Sequence, residues 1–188
     1  MGLTYLALGD STTTSVNVGD NYPILVYKYI RDTYKSLKFI HKGTPGLKSS
    51  DFVTQNWFFT PFDADLVTLG VGFNDISADV AGIPAFKANI TATVDKLKLI
   101  NPDVKIILCT SNNGTAGVNQ TYRDALVAVA QAENIYYCRF ETAWDSSLNA
   151  TYTSDGIHPT AAGHVLLFGV LKPIIDAIMA SYSKLIIY

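Results

Sequence analysis

The sequence predicts an α/β protein in which helices cover both faces of a parallel sheet. Short apolar runs alternate with longer segments whose apolar residues recur every three or four positions. Strands that alternate with helices in this way favour parallel pairing through right-handed crossovers. With 188 residues, of which 48% are hydrophobic, the chain is long enough for one sizeable core, and we expect a single domain over 1–188.

Five apolar runs have the length and composition of strands. Each is rich in aliphatic or aromatic residues and is bounded by polar or turn-forming ones. The predicted strands span 4–8, 37–41, 66–71, 104–110 and 135–138.

Helical periodicity fills the segments between these strands. From Ile83 to Leu97 apolar residues recur at helical spacing, and Asn101-Pro102 ends that helix. The other predicted helices span 23–34, 122–132 and 161–181. Pro173 lies inside the last of these, where it removes a backbone hydrogen bond to Gly169, so we expect a kink or a break.

Composition and charge exclude several classes of partner. The net charge is −2 and the lysines and arginines are dispersed, so nucleic acid is not an expected partner. No apolar run approaches the ~20 residues that span a bilayer, and no export signal is visible. We therefore expect no membrane span and, by default, a cytoplasmic protein.

Cysteine and histidine usage gives no metal site. Cys109 and Cys138 each end an apolar run, which favours buried thiols over a disulfide framework. The three histidines lack cysteine or carboxylate partners at metal-ligand spacing. We expect neither a metal nor any other cofactor.

Polar residues follow the predicted strands where a ligand would bind. In an open parallel sheet the loops after the carboxyl ends of the strands line one edge, and ligands bind in the crevice there. Ser11 follows the first strand, Gly46 the second and Asn74 the third, while Asp155 and His158 precede the last helix. The topology therefore predicts that these distant residues share one crevice.

Three of these residues form the set needed for nucleophilic acyl transfer. Ser11 is the candidate nucleophile, and His158 is the candidate general base that takes the hydroxyl proton and returns it to the leaving alcohol. Asp155, three residues before His158, is expected to orient the imidazole and stabilise the imidazolium. The predicted chemistry is that of a serine esterase.

An oxyanion that develops on the substrate needs fixed hydrogen-bond donors. The candidates are the backbone N–H groups of Ser11 and Gly46 and the side-chain amide of Asn74. Asp10 and Asp75 flank these positions, and we expect them to form a second layer that fixes the loops.

Four segments together resemble the sequence blocks of one enzyme family. Gly9-Asp10-Ser11, 43–46, 72–75 and 155–159 resemble, in order, the blocks of the SGNH (GDSL) hydrolases. Each segment alone has an ordinary reading as a turn or a helix cap. Their joint occurrence, each after a different predicted element, favours the esterase.

The resemblance covers residues 4 to about 178 and implies a flavodoxin-like three-layer α/β/α sandwich with a five-stranded parallel sheet. It implies metal-independent ester hydrolysis. It also implies an active site built from Ser11, Gly46, Asn74 and His158, with Asp155 completing the triad.

The substrate is less constrained than the chemistry. A chain of this length leaves little sequence for a lid, which favours short acyl groups such as acetate, and we expect deacetylation of a glycan or similar polar ester. A lysophospholipase or an arylesterase of the same family is an alternative. The hydroxyl-rich 11–15 segment keeps a flavin or nucleotide binder open, and a non-catalytic glycan-binding module is a further alternative.

The remaining features carry weaker expectations. His41 and His164 are expected to be structural. The aromatic stretch 57–62 favours core packing, although it and Trp144 are also candidates to flank a sugar. The polar loop 112–115 is either a pocket lining of amides or an ordinary loop. The apolar tail 185–188 packs on the domain or on a second subunit, which leaves a homo-oligomer open.

Overall fold

The computed structural model describes residues 2–14, 19–34, 37–55, 63–76, 81–114 and 120–183. Five strands form one parallel sheet, as predicted, and their order in the sheet is β2-β1-β3-β4-β5. The strands are Leu3–Gly9 (β1), Leu37–Gly43 (β2), Leu66–Gly70 (β3), Lys105–Cys109 (β4) and Tyr136–Cys138 (β5).

Four longer helices lie close to their predicted positions. They are Tyr22–Tyr34 (α1), Ile83–Ile100 (α3), Gln120–Ala132 (α4) and Ala161–Ser183 (α6). The short elements were not predicted, since each is too brief to show a helical period. They are the helices Ser49–Thr54 (α2) and Asn149–Tyr152 (α5) and the 3₁₀ helices Phe140–Thr142 and Ser146–Leu148.

The sheet separates two hydrophobic cores. Successive side chains of a strand point to opposite faces, so in β1 Leu6 and Leu8 pack with residues of α3 and α4. Tyr5 and Ala7 pack on the other face with residues of α1 and α6. The uninterrupted apolar run of β1 is therefore the signature of a strand buried on both faces, and the architecture is the predicted three-layer α/β/α sandwich.

The strand ends are level along one edge of the sheet. Gly9, the last residue of β1, is in register with Gly43 of β2 and with Gly70 of β3, and Gly70 is in register with Cys109 of β4. The loops that follow these strands therefore leave the sheet at the same height.

The expected break at Pro173 was wrong, because α6 continues through the proline to Ser183. A proline in a helix leaves the carbonyl four residues earlier without its hydrogen bond. Here that residue is Gly169, and both Gly169 and Pro173 are exposed, so water can bind the carbonyl in place of the missing N–H.

The apolar character of α6 also departs from expectation. By length and composition, Ala161–Tyr182 is the one helix in the described ranges that is long and apolar enough to cross a membrane, so the expectation that no apolar run approaches that length was wrong. In the fold, Leu167, Leu171, Ile175 and Ile178 are fully buried against the sheet. Core packing thus accounts for one face of this helix.

Cys109 and Cys138 are buried, unpaired neighbours at the ends of β4 and β5, as expected for thiols. Burial raises the pKa of both thiols, and that of Cys138 rises to about 12. Because the thiolate is the reactive form, neither cysteine is a nucleophile in this environment.

His164 is buried between α6 and α1, as expected for a structural histidine. Its Nδ1 accepts a hydrogen bond of 3.3 Å from the backbone N–H of Tyr22, the first residue of α1. Burial lowers the pKa of His164 to about 4. The ring is therefore neutral at neutral pH and joins the starts of two helices.

We predict that His164→Gln makes stability less sensitive to acid. Between pH 6.5 and 4 the unfolded chain binds a proton at His164 while the native state does not, so stability is lost as the pH falls. The loss amounts to about 3 kcal/mol at pH 4. Glutamine can accept the Tyr22 N–H without titrating. Urea unfolding at several pH values measures the free energy of unfolding of the wild type and the variant. An equal dependence of this free energy on pH in the two proteins would contradict the prediction.

Candidate active site

Ser11 lies at the apex of a tight turn that follows β1. The carbonyl oxygen of Asp10 accepts hydrogen bonds from the N–H groups of Thr13 (3.1 Å) and Thr14 (3.2 Å). The carboxylate of Asp10 accepts a further bond of 3.0 Å from the N–H of Thr12. These bonds enclose Ser11, whose side chain is partly exposed, so the backbone on either side of the candidate nucleophile is fixed.

Gly9 is required by close packing beneath this turn. A Cβ atom at Gly9 would lie 1.9 Å from Oγ1 of Thr13 and 2.5 Å from the carbonyl oxygen of Gly70. Thr13 is itself buried, and its hydroxyl pairs with the Tyr22 hydroxyl at 2.9 Å. The glycine of the Gly-Asp-Ser sequence thus lets the turn fold back onto the sheet.

Two side chains hold the far end of the turn. The carbonyl oxygen of Thr13 accepts hydrogen bonds from Nδ2 of Asn21 at 2.6 Å and from Nε2 of His41 at 2.8 Å. Asn21 also accepts the N–H of Ile24 and so caps α1. His41 has the structural role expected of it, and Asn21 is a supporting residue that the sequence analysis missed.

Gly46 follows β2 with a positive φ of 79°. A side chain would meet no atom there, so the backbone conformation rather than space favours glycine. Within the described residues, neither the Ser11 nor the Gly46 N–H has a hydrogen-bond acceptor. Both are available to a ligand at this edge of the sheet.

Asn74 links the loop after β3 to the loop after β2. Its Nδ2 donates a hydrogen bond of 2.9 Å to the carbonyl oxygen of Leu47, the residue after Gly46. An amide nitrogen carries two hydrogens. One of them therefore orients the side chain, and the other has no acceptor among the described residues and can bind a ligand.

Asp75 holds the same segment from its other side. Its carboxylate accepts hydrogen bonds from the hydroxyl of Ser49 at 2.6 Å and from the backbone N–H of Ser49 at 2.9 Å. Burial raises the pKa of Asp75, and the bonds from Ser49 oppose this rise. Ser49 begins α2 and accepts a bond from Asn89. The arrangement fits the supporting role expected of Asp75.

His158 and Asp155 form a hydrogen-bonded pair in the loop before α6. The distance from Nδ1 of His158 to Oδ2 of Asp155 is 2.6 Å. The other oxygen of Asp155 accepts the N–H groups of Ile157 (3.0 Å) and His158 (2.8 Å). The backbone and side-chain bonds from His158 lower the pKa of Asp155 to about 2. The carboxylate of Asp155 therefore stays charged at neutral pH. Because Nδ1 of His158 is bonded to it, Nε2 is the ring nitrogen that can exchange a proton with another group.

The pKa of Asp10 depends on charged groups in the neighbouring loops. The pKa of Asp10 is raised to about 7, mainly by burial and to a smaller extent by the negative charge of Asp75. The bond from Thr12 and the charge of His158 act in the opposite direction. Asp10 is therefore within electrostatic reach of both Asp75 and His158.

The other residues considered for the crevice either bind groups within the protein or lie outside the described residues. The Nδ2 groups of Asn112 and Asn113 bind backbone carbonyls within the protein, so they do not form the pocket lining considered from sequence. Trp144 is buried and donates its indole N–H to Asn149. The stretch 57–62, Ser15, Thr115 and the tail 185–188 lie outside the described residues.

Solved structures with the same fold include several esterases. A two-domain esterase active on acetylated mannans, co-crystallised with mannopentaose, superposes with a TM-score of 0.79 at 20% identity, and the match covers 94% of this chain and 50% of that one. A family 3 carbohydrate esterase from Clostridium thermocellum gives a TM-score of 0.79 at 17% identity over 96% and 98% of the two chains. A catalytic mutant of an acetylxylan esterase from Geobacillus stearothermophilus gives 0.69 at 22% identity over 92% and 94%.

At these identities the similarity shows the fold. The chain spans half the length of the two-domain esterase and nearly the whole length of the other two proteins. A comparison with curated proteins gives no match.

The family follows from the sequence itself. The sequence model of the GDSL-like Lipase/Acylhydrolase family matches residues 7–166, which is most of the chain. This match confirms the resemblance drawn from the four sequence segments. The chain belongs to the GDSL-like lipase/acylhydrolase family and is an SGNH-type carboxylic ester hydrolase.

Proposed function

We propose that this protein removes short acyl groups, in particular acetyl groups, from a carbohydrate or similar polar ester through a Ser11–His158–Asp155 triad. The observation that carries the proposal is the Asp155–His158 hydrogen bond of 2.6 Å. It holds the imidazole by Nδ1 and leaves Nε2 for proton transfer. The Ser11 turn lies at the same edge of the sheet.

The reaction proceeds through an acyl-enzyme. As the Ser11 oxygen attacks the ester carbonyl carbon, Nε2 of His158 accepts the hydroxyl proton. The tetrahedral intermediate collapses, the bond to the alcohol breaks, and His158 returns the proton to the leaving oxygen. Water then attacks the acyl-enzyme with His158 again as base, which releases the acid and restores the Ser11 hydroxyl.

Asp155 acts on the imidazole and takes no proton itself. Its pKa of about 2 keeps it ionised throughout the neutral range. The negative charge stabilises the imidazolium that forms when His158 accepts the proton, and the bond to Nδ1 fixes the ring orientation.

The developing oxyanion has three donors available at the edge of the sheet. They are the backbone N–H groups of Ser11 and Gly46 and the second amide hydrogen of Asn74. The turn bonds around Ser11, the conformation of Gly46 and the Asn74–Leu47 bond fix these donors before the substrate arrives. Donors that need no reorganisation stabilise a transition state most effectively.

The substrate class is supported by the fold neighbours. The structures described above include an esterase active on acetylated mannans and an acetylxylan esterase. Membership of the hydrolase family favours catalysis over the flavin-binding and glycan-binding alternatives. A lysophospholipase and an arylesterase remain within the family, and acyl preference separates them from a deacetylase.

Replacing Ser11 by alanine is expected to abolish ester hydrolysis and leave folding intact. The substitution deletes one oxygen that has no hydrogen-bond partner in the described chain. Hydrolysis of para-nitrophenyl acetate and the thermal unfolding midpoint measure the two effects. Ser146→Ala, at an exposed serine of the 3₁₀ helix Ser146–Leu148, is the control. Substantial activity in the Ser11 variant would identify another nucleophile and overturn the proposal.

Asn74→Ala is expected to lower kcat by ~10² through loss of an oxyanion donor. Because the donor acts chiefly in the transition state, KM changes much less than kcat. Steady-state kinetics with the acetyl ester measures both constants. An unchanged kcat would remove Asn74 from the site.

The acyl-group proposal predicts that kcat/KM is higher for para-nitrophenyl acetate than for the octanoate. A crevice suited to a short acyl group binds the long octanoyl chain poorly, which lowers kcat/KM for the octanoate. The same preparation is expected to release acetate from acetylated xylan or glucomannan. Faster cleavage of the octanoate would favour a lysophospholipase, and activity confined to aryl acetates would favour an arylesterase.

A further inference from the structure

The loop after β4 lies directly against the loop that carries His158. We call residues 110–114 the β4 loop and residues 153–159 the His158 loop. Asn112, in the β4 loop, is 2% exposed. Its Nδ2 donates a hydrogen bond of 3.3 Å to the carbonyl oxygen of Ile157, the residue before His158.

Packing reinforces this hydrogen bond. A Cβ atom at Gly114 would lie 3.0 Å from the carbonyl oxygen of Gly156 and 3.0 Å from Cα of Ile157. The Oδ1 of Asn112 accepts the N–H of Gly114 at 2.7 Å. One side chain thus folds the β4 loop and, through its other atom, binds the His158 loop.

Arg123 of α4 holds the backbone of Ser111 and Asn112 in place. It is 7% exposed, and its guanidinium donates to the carbonyl oxygen of Ser111 at 3.1 Å and to that of Asn112. In the described chain it makes no ion pair within 4.0 Å. A buried charge is tolerated when its donors are satisfied, and here two backbone carbonyls of the β4 loop and the side-chain oxygen of Gln120 accept them.

Hydrogen bonds within the His158 loop fix its shape, but they do not fix its position relative to the Ser11 turn. The Thr153–Pro159 bridge, the bond from Ser154 N–H to the carbonyl of His158 and the bonds to Asp155 all lie within the loop. They orient the imidazole relative to that loop. The Asn112 bond joins the loop to the sheet edge from which the Ser11 turn also rises.

We propose that Asn112, held by Arg123, is a positioning residue that sets the location of His158 relative to Ser11. The inference rests on the proposed function, because the location of the imidazole matters through proton transfer. A displacement of about 1 Å between reacting groups costs roughly 10²-fold in rate. Loss of Asn112 therefore lowers turnover more than it lowers stability or substrate binding.

Asn101 provides a matched control at the opposite end of β4. Its Nδ2 donates to the carbonyl oxygen of Ala64 at 3.1 Å, and its Oδ1 accepts the N–H of Asp103 at 3.0 Å. Asn101 thus makes the same two kinds of bond as Asn112, but it precedes β4 and is remote from the His158 loop. Alanine at either position removes one hydrogen bond from a backbone N–H two residues later and one hydrogen bond to a distant backbone carbonyl.

The test compares Asn112→Ala with Asn101→Ala in the whole chain. We measure kcat and KM with para-nitrophenyl acetate, the rate of Ser11 labelling by a fluorophosphonate, and urea unfolding. We expect Asn112→Ala to lower kcat and the labelling rate by roughly 10- to 100-fold, with little change in KM. Asn101→Ala is expected to lose comparable stability and keep its kcat.

Two further variants separate the atoms involved. Asn112→Asp keeps an acceptor for the Gly114 N–H but loses the donor to Ile157, so its kcat is expected to be lower than that of the wild type. A wild-type kcat in this variant would overturn the role of the donor. Arg123→Lys is expected to lower kcat in the same manner. Combined with Asn112→Ala it adds little, because both act through one loop. Fully additive losses would contradict the coupling.

The outcomes distinguish this inference from the proposed function. A wild-type protein that neither hydrolyses esters nor reacts with the fluorophosphonate overturns both. An active wild type in which Asn112→Ala and Asn101→Ala have equal kcat values overturns the positioning role alone.

Discussion

Parallel pairing with level strand ends is the constraint on which the rest of the site depends. Gly9, Gly43 and Gly70 are in register, so the Ser11 turn and the loops of Gly46 and Asn74 start from one line across the sheet. Parallel strands in a sheet with covered faces leave only the edge for polar chemistry. The candidate nucleophile and oxyanion donors are close together because the strands end together.

Loops that converge at such an edge need cross-connections, since each carries backbone groups that the sheet no longer satisfies. Asparagine amides supply several of them here. Asn21 binds the carbonyl of Thr13, Asn74 that of Leu47 and Asn112 that of Ile157. An amide can donate to one loop and accept from another, so a small set of neutral side chains joins the loops without adding charge beside the buried carboxyl of Asp10.

The sequence predicts the strands and the four longer helices well because both depend on local patterns. The five strands were found within about two residues of their bounds, since a strand buried on both faces is a plain apolar run. Local patterns say nothing of contacts between distant segments. Asn112 and Ile157 are 45 residues apart, and an asparagine after a strand is ordinary. The continuation of α6 through Pro173 depends on the exposure of Gly169, which periodicity does not encode.

The β4 loop also bears on the chemical ageing of the chain. Asn113-Gly114 is the type of dipeptide at which an unfolded chain deamidates most readily, by attack of the glycine nitrogen on the asparagine side chain. In the fold that nitrogen is hydrogen-bonded to Asn112, and the Asn113 amide is held by the carbonyls of Glu141 and Trp144. The native loop therefore protects itself from a covalent change that would place a new negative charge next to Asn112, which binds the His158 loop.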